Sequence, residues 1–188
     1  MLACENNGEI MNSQNVLVSV PVYTKILDID NDKLKTIIQN HRKVFNKGES
    51  SNVKAWHSSY KTHKINPHFQ PYIDKILQEI KDIKKYDNKF CGIAAFESTL
   101  YLRDFWAIMY ENSDYTRSHA HFPCPYVASY YVEASPDSSP IHFDGVQTLK
   151  IMPESGMLVV WPGTLYHSVP PTHGKRTVLA MNLLVKNE

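Results

Sequence analysis

Two stretches of the chain repeat apolar side chains at intervals of three and four residues, and each predicts an amphipathic helix. The clearer one begins at Pro67 and carries Phe69, Tyr72, Ile73, Ile76, Leu77, Ile80 and Ile83. Proline suits its first turn, where the missing N–H has no helical partner to lose. The other follows Asp30, whose carboxylate can accept from the free N–H groups of a first turn, and carries Leu34, Ile37, Ile38, His41, Val44 and Phe45. Before it, Val16 to Tyr23 reads as a short β-rich strand ending at Pro21. After it, a polar loop from Gly48 to Asn52 leads to Trp56, in a segment whose pattern favours neither element.

From about Leu100 the pattern changes to short β-branched and aromatic runs, broken at close intervals by Pro, Gly, Ser and Asp. Helices first and strands afterwards predict an α+β layout, with the helices on one outer face of an antiparallel barrel or sandwich. No repeat, linker or low-complexity stretch interrupts it. Residues 1–14 are expected to form a flexible N-terminal segment, and residues 15–188 a single domain.

The last strand divides by its period of two. Thr177, Leu179, Met181, Leu183 and Val185 share one face, and their bulk suits packing under the helices. Arg176, Val178, Ala180 and Asn182 share the other. Small residues with one Arg and one Asn suit the wall of a ligand cavity. An Arg turned into such a cavity calls for an anion, and its fork matches a carboxylate in two places. The same arginine could instead pair with a surface acid at the strand entrance.

Composition narrows the possibilities. The 188 residues are enough for one core, 43% are hydrophobic and 21% charged, and 20 basic residues against 19 acidic leave a formal charge of +1. No basic stripe is available to follow phosphates, which argues against a nucleic-acid partner. No 18-residue apolar run is present, and Met1 to Ser13 lack the order of a secretory signal, so a cytoplasmic protein without a membrane partner is expected. Cys4, Cys91 and Cys124 are an odd number without C-x-x-C spacing and suggest neither disulfides nor a cysteine metal site. Arginine is scarce, at positions 42, 103, 117 and 176. Oligomeric state leaves no mark on the sequence.

Candidate chemistry rests on histidines. His119 and His121 are two apart, a spacing that presents both imidazoles on one face of a strand, and together they could hold one ion with a third ligand from elsewhere. His167 follows the turn Pro162-Gly163-Thr164, and Arg176 comes nine residues later (176 minus 167). A second pair, His142 and Asp144, stands only 25 residues before His167 (167 minus 142), against 48 for His119 (167 minus 119). That short separation leaves little room for intervening strands, so Asp144 ranks behind His121, as the alternative ligand. Ile141 and Phe143 read as core, and His142 and Asp144 as residues of a pocket mouth.

This combination resembles the non-haem Fe(II)- and 2-oxoglutarate-dependent oxygenases, in particular the prolyl-hydroxylase-like branch and a largely uncharacterised group from phages and bacteria. The matching features are Val20-Pro-Val-Tyr23, Trp56, Trp106, His119-Ala-His121, Ser129-Tyr-Tyr-Val132, Gly156, Trp161-Pro162, His167 and Arg176, spanning about Asn15 to Glu188. The resemblance implies a double-stranded β-helix, a jelly-roll or cupin-like barrel. It implies Fe(II) held by His119, His121 and His167, and 2-oxoglutarate held by Arg176 with the Tyr131 hydroxyl and Asn182. Tyr131 reads equally as a packed core residue, and Trp106 and Trp161 as core residues bordering the pocket. One departure stands out: His121 occupies the place of the usual carboxylate, and the commoner triad is two His and one carboxylate.

The implied activity couples oxidative decarboxylation of 2-oxoglutarate to C–H oxidation of a small-molecule or peptide substrate with O2. Two other readings fit the same residues. One is a three-His cupin-like dioxygenase that uses no 2-oxoglutarate, with Arg176 gripping the substrate's own carboxylate. The other is a ligand-binding barrel without chemistry.

Overall fold

The computed structural model describes residues 19–49, 51–83 and 98–187. Its strands are β1 (Tyr23–Ile26), β2 (Val53–Lys54), β3 (Trp56–His57), β4 (Ser98–Tyr110), β5 (Tyr115–His119), β6 (Tyr126–Ala134), β7 (Ile141–Phe143), β8 (Leu149–Ile151), β9 (Met157–Pro162), β10 (His167–Val169) and β11 (Arg176–Asn187). Its α-helices are α1 (Asn31–Val44), α2 (Thr62–Ile65) and α3 (Gln70–Ile83), the last preceded by a 3-10 turn at Pro67–Phe69.

Both expected helices form. Asp30 caps α1 by accepting from the Lys33 N–H at 3.0 Å, and the Pro67 turn leads into α3. The expected strand at Val16 to Tyr23 is displaced: residues 16–18 lie outside the described residues, and the observed strand runs from Tyr23 to Ile26. Pro21 therefore precedes the strand instead of closing it, which keeps a residue without an N–H out of the ladder with β9. The flexible segment expected at residues 1–14 also lies outside the described residues.

The strands form two antiparallel sheets. One has six strands in the order β1-β9-β6-β11-β4-β3, the other five in the order β2-β5-β10-β7-β8. They face each other as a jelly-roll type of sandwich, and the short segment carrying β2 and β3 joins an edge of the smaller sheet to an edge of the larger.

The alternation of β11 decides where the two cores lie. Leu179, Met181 and Leu183 pack outward against Leu34 and Ile38 of α1 and Ile73, Ile76 and Ile80 of α3. Val178 and Ala180 point inward, among Trp106, Ile108, Tyr131, Phe143 and Trp161 between the sheets. Each fully buried Leu or Ile contributes about 1.5–3 kcal/mol, so the outward face anchors the helices. Among the described residues no helix is long and apolar enough to cross a membrane.

Two irregularities set which side chains face inward. Asn182 pairs with Asp104 and Leu183 with Leu102, so Arg103 is an extra residue in β4. Thr177 pairs with Glu133 and Val178 with Tyr131, so Val132 is extra in β6. Each insertion shifts the alternation by one, a common device beside functional sites. Beyond Arg103, Leu100 and Leu102 belong to the outer core, whereas Asp104, Trp106, Ile108 and Tyr110 line the interior.

Candidate active site

The histidines come together because β5 and β10 are neighbours. His119 ends β5 and is the register partner of His167, the first residue of β10. His121 lies two residues past the strand, in a loop held by its own backbone: its N–H donates to the Gly163 carbonyl at 2.7 Å, and the Gly163 N–H donates to the Pro125 carbonyl at 3.0 Å. Gly163 has no room for a side chain, since a Cβ there would sit 1.9 Å from the Cys124 carbonyl oxygen. Sequence reading took Gly163 only for a turn residue.

Imidazole centroids are 4.5 Å apart for His119 and His167, 4.8 Å for His119 and His121, and 5.1 Å for His121 and His167. One ligating nitrogen of each lies within 4.8 Å of the other two, and these three form the metal-competent group among the described residues. Two ligands at about 2.1 Å from an ion can stand at most roughly 4.2 Å apart, so the rings must turn slightly inward to close on one.

The opposite side of two rings is tethered. His119 Nδ1 lies 2.8 Å from the Arg117 carbonyl oxygen and His167 Nδ1 3.5 Å from that of Leu165. A protonated Nδ1 held this way leaves Nε2 free as a ligand. Burial lowers the pKa of all three; it brings His121 down to about 4, with the neighbouring His119 adding to the effect and Asn182 and Asp104 opposing it. All three are therefore neutral near pH 7, the state a metal requires.

Asp144 does not join this group. It is exposed, and its carboxylate accepts from Ser118 Oγ at 2.6 Å. Ile141 and Phe143 are buried between the sheets, while His142 is half-buried.

Arg176 opens β11 on the inner face, 2% exposed. It donates through NH1 to the Ser139 carbonyl at 2.7 Å and through NH2 to the Tyr131 hydroxyl at 3.0 Å. Its guanidinium lies 4.9 Å from the Tyr131 ring and 5.2 Å from that of Tyr110. Its Nε has no partner, and among the described residues no carboxylate pairs with it. Tyr110, its register partner on β4, was missed by sequence reading. Burial raises the pKa of both tyrosines, against the pull of Arg176, and keeps their hydroxyls protonated.

Asn182 is not brought to Arg176. It stands six residues further along the strand (182 minus 176), where its Nδ2 donates to Asp104 Oδ2 at 3.0 Å and its Oδ1, buried and without a hydrogen bond, lies near the His121 ring. Asp104 was also missed, and it holds Lys61 Nζ at 2.6 Å on its other oxygen. Trp106 stacks on His121 at 6.1 Å and Trp161 meets His167 edge-on at 4.8 Å; both indole N–H groups are buried without a partner among the described residues.

The three histidines, Arg176, Tyr110, Asp104, Asn182 and both tryptophans line one cavity of about 450 Å³, within the usual range for a small-molecule site. Its wall carries an excess of polar atoms that lack partners, which is the mark of a place meant for a polar ligand.

No protein-family model matches the sequence, and no curated protein matches it. Solved structures do match. A prolyl hydroxylase from Trichoplax adhaerens, in complex with a hypoxia inducible factor peptide fragment, superposes with a TM-score of 0.67 at 12% identity, over 88% of this chain and 83% of that one. A Pseudomonas putida prolyl-4-hydroxylase gives 0.58 at 17%, over 88% and 93%. A non-heme alpha ketoglutarate dependent epimerase from nogalamycin biosynthesis gives 0.60 at 12%, over 87% and 77%. The chain thus shares the fold of these proteins, as the resemblance implied. At such identities the likeness carries the fold and leaves the reaction to the site; the epimerase alone shows that one fold serves more than one outcome.

Proposed function

We propose that this chain is a double-stranded β-helix oxygenase that uses Fe(II) and 2-oxoglutarate to hydroxylate a small-molecule or peptide substrate. The observation that carries the reading is the pairing, in one cavity, of three converging neutral imidazoles with a buried guanidinium that has, among the described residues, a free donor and no acidic partner. The residues fit both groups. His119, His121 and His167 would hold the metal, and Arg176, oriented by the Tyr131 hydroxyl behind it, would hold the far carboxylate of 2-oxoglutarate. When bound, the pair supplies the oxidising power by which 2-oxoglutarate, O2 and substrate R–H become succinate, CO2 and R–OH.

The chain's own part is to bind, orient and keep dry. Backbone carbonyls fix the His119 and His167 rings, and Asn182 stands beside His121. Tyr110 and Tyr131 flank Arg176 with aromatic faces, which support a cation without neutralising it. Trp106 and Trp161 shield the imidazoles from water. Three neutral ligands leave the metal centre one charge more positive than a triad containing a carboxylate.

That missing carboxylate also favours a second reading, a three-His dioxygenase acting without 2-oxoglutarate. Incubation with Fe(II), ascorbate and 2-oxoglutarate in air, followed by succinate analysis, separates them. Iron-dependent succinate formation is expected, with loss in Arg176→Ala. Bound iron without any succinate would turn the assignment to the second reading, and a chain that takes up no Fe(II) would be a binding barrel.

A further inference from the structure

The cavity has a second end, built differently from the first. Asn182 is six residues from Arg176 along an extended strand, which places it roughly 20 Å away at about 3.4 Å per residue. Here the extra residue in β4 does more than flip an alternation. It puts two sequence neighbours, Arg103 and Asp104, on the same cavity wall. Both oxygens of Asp104 are already taken, one by Lys61 Nζ at 2.6 Å and the other by Asn182 Nδ2 at 3.0 Å.

Arg103 is left under-used. Its Nε lies 3.5 Å from Asp104 Oδ2, and its NH1 lies 3.5 Å from the sulfur of Cys124. The contact with Asp104 is long for a guanidinium, which forms carboxylate hydrogen bonds at about 2.7–2.9 Å, and the thiol of Cys124 is a weak acceptor that carries no charge to offset. Among the described residues no other carboxylate makes an ion pair with it; Glu49, an acid in the surroundings of Tyr60, does not reach it. Asp104 therefore orients Arg103 without neutralising it. Two aromatic rings, Tyr60 and Phe122, line the same cavity, and Phe122 is 80% exposed despite its size.

We infer that Arg103 receives an anionic group of the prime substrate, whose apolar part lies against Phe122 and Tyr60. The substrate class is a small organic acid, a carboxylate or a phosphate ester, with an aromatic or aliphatic body. Arg176 and Arg103 then divide the work: the buried one holds the co-substrate, and the half-exposed one selects what enters beyond the histidines. The inference deepens the oxygenase reading and rests on it for the word substrate.

The test uses the full chain loaded with Zn(II) and N-oxalylglycine, an unreactive analogue of 2-oxoglutarate, with loading measured first by calorimetry. Phenylacetate, phenyl phosphate and the neutral phenylacetamide are then titrated into both the parent chain and Arg103→Gln, and binding is followed by calorimetry, with the Nε–Hε resonance of Arg103 as a second readout in the parent chain. At least one anion is expected to bind tenfold or more tightly than the amide. Arg103→Gln should erase that preference while leaving Zn(II) and N-oxalylglycine loading and the melting temperature unchanged. Equal affinity for all three probes, no binding of any, or a preference that survives Arg103→Gln overturns the inference. A chain that fails to load breaks the oxygenase reading instead, and the same titration of the unloaded protein still decides whether Arg103 selects anions.

Discussion

The two faces of β11 are built by opposite rules. On the outer face Leu179, Met181 and Leu183 are fully buried in an apolar cluster shared with the helices. On the inner face Arg176 and Asn182 are also buried, yet each keeps an atom without a hydrogen bond, and Ala180 between them leaves room. Burying an unsatisfied polar group costs about 1–3 kcal/mol, so the inner face destabilises the protein unless something binds there. The outer face therefore serves packing alone, whereas the inner face combines the core around Val178 and Ala180 with the polar groups of the proposed site.

The largest break in that division comes from the histidines. Replacing His119, His121 or His167 by Ala should abolish or strongly weaken Fe(II) binding in a chain that melts normally, whereas Asp144→Ala should keep the metal. Anaerobic calorimetry with Fe(II) measures both. Metal kept in His121→Ala but lost in Asp144→Ala would move the site and restore a carboxylate to it.

Next in size is an exchange between the faces. Arg176→Ala should weaken 2-oxoglutarate binding by about 2–5 kcal/mol, as expected for losing one partner of a desolvated charge pair, with metal affinity retained. Ile76→Ala, on the other side of the sheet, should lower stability by roughly 2–5 kcal/mol and leave 2-oxoglutarate affinity of the folded fraction unaltered. Denaturant titration and ligand calorimetry on both variants would show the two effects crossing, and a selective loss of binding in Ile76→Ala would end the separation of the faces.

The smallest effect is with pH. Burial is the leading cause of the lowered pKa values of His41, His57, His119, His121 and His167, so the folded chain holds fewer protons than the unfolded one below the ordinary value of 6.5. Stability from these groups is fully present above that pH. It is lost as the pH falls toward about 4, where His121 protonates. Each fully titrating imidazole removes about 1.4 kcal/mol for every pH unit between its unfolded and folded pKa. Urea unfolding between pH 4 and 8 should show this slope, and added Zn(II) should stabilise the upper end only. A flat profile would mean that the imidazoles are more hydrated than their packing indicates.

Much of the fold and part of the site were legible because they follow local rules. The three- and four-residue periods of α1 and α3 are properties of the chain itself, and so is the alternation of β11, which runs unbroken from Arg176 to Asn182. Spacing also singled out His119 and His121, the alternation of β11 pointed to Arg176, and the family resemblance added His167 to them. Legibility failed where a strand carries an extra residue. Period-two reading of β4 puts Leu100 and Leu102 on the same face as Trp106 and Ile108, but the insertion at Arg103 separates them.

What the sequence determined by itself, then, was which segments have an apolar face and which residue types could hold a metal and a carboxylate. What only the tertiary structure decided was the register between strands distant in the chain. It is the pairing of β4 with β11 that makes Arg103 the extra residue, sets Asp104 beside Asn182 and Tyr110 beside Arg176, and gives the cavity its second end. Likewise the Gly163 turn matters because the loop of His121, some 40 residues earlier along the chain (163 minus 121 is 42), packs against its backbone. Side-chain periodicity is set by each strand's own dihedral angles, whereas a bulge arises from the hydrogen-bonding demands of two strands together, and no single segment records it.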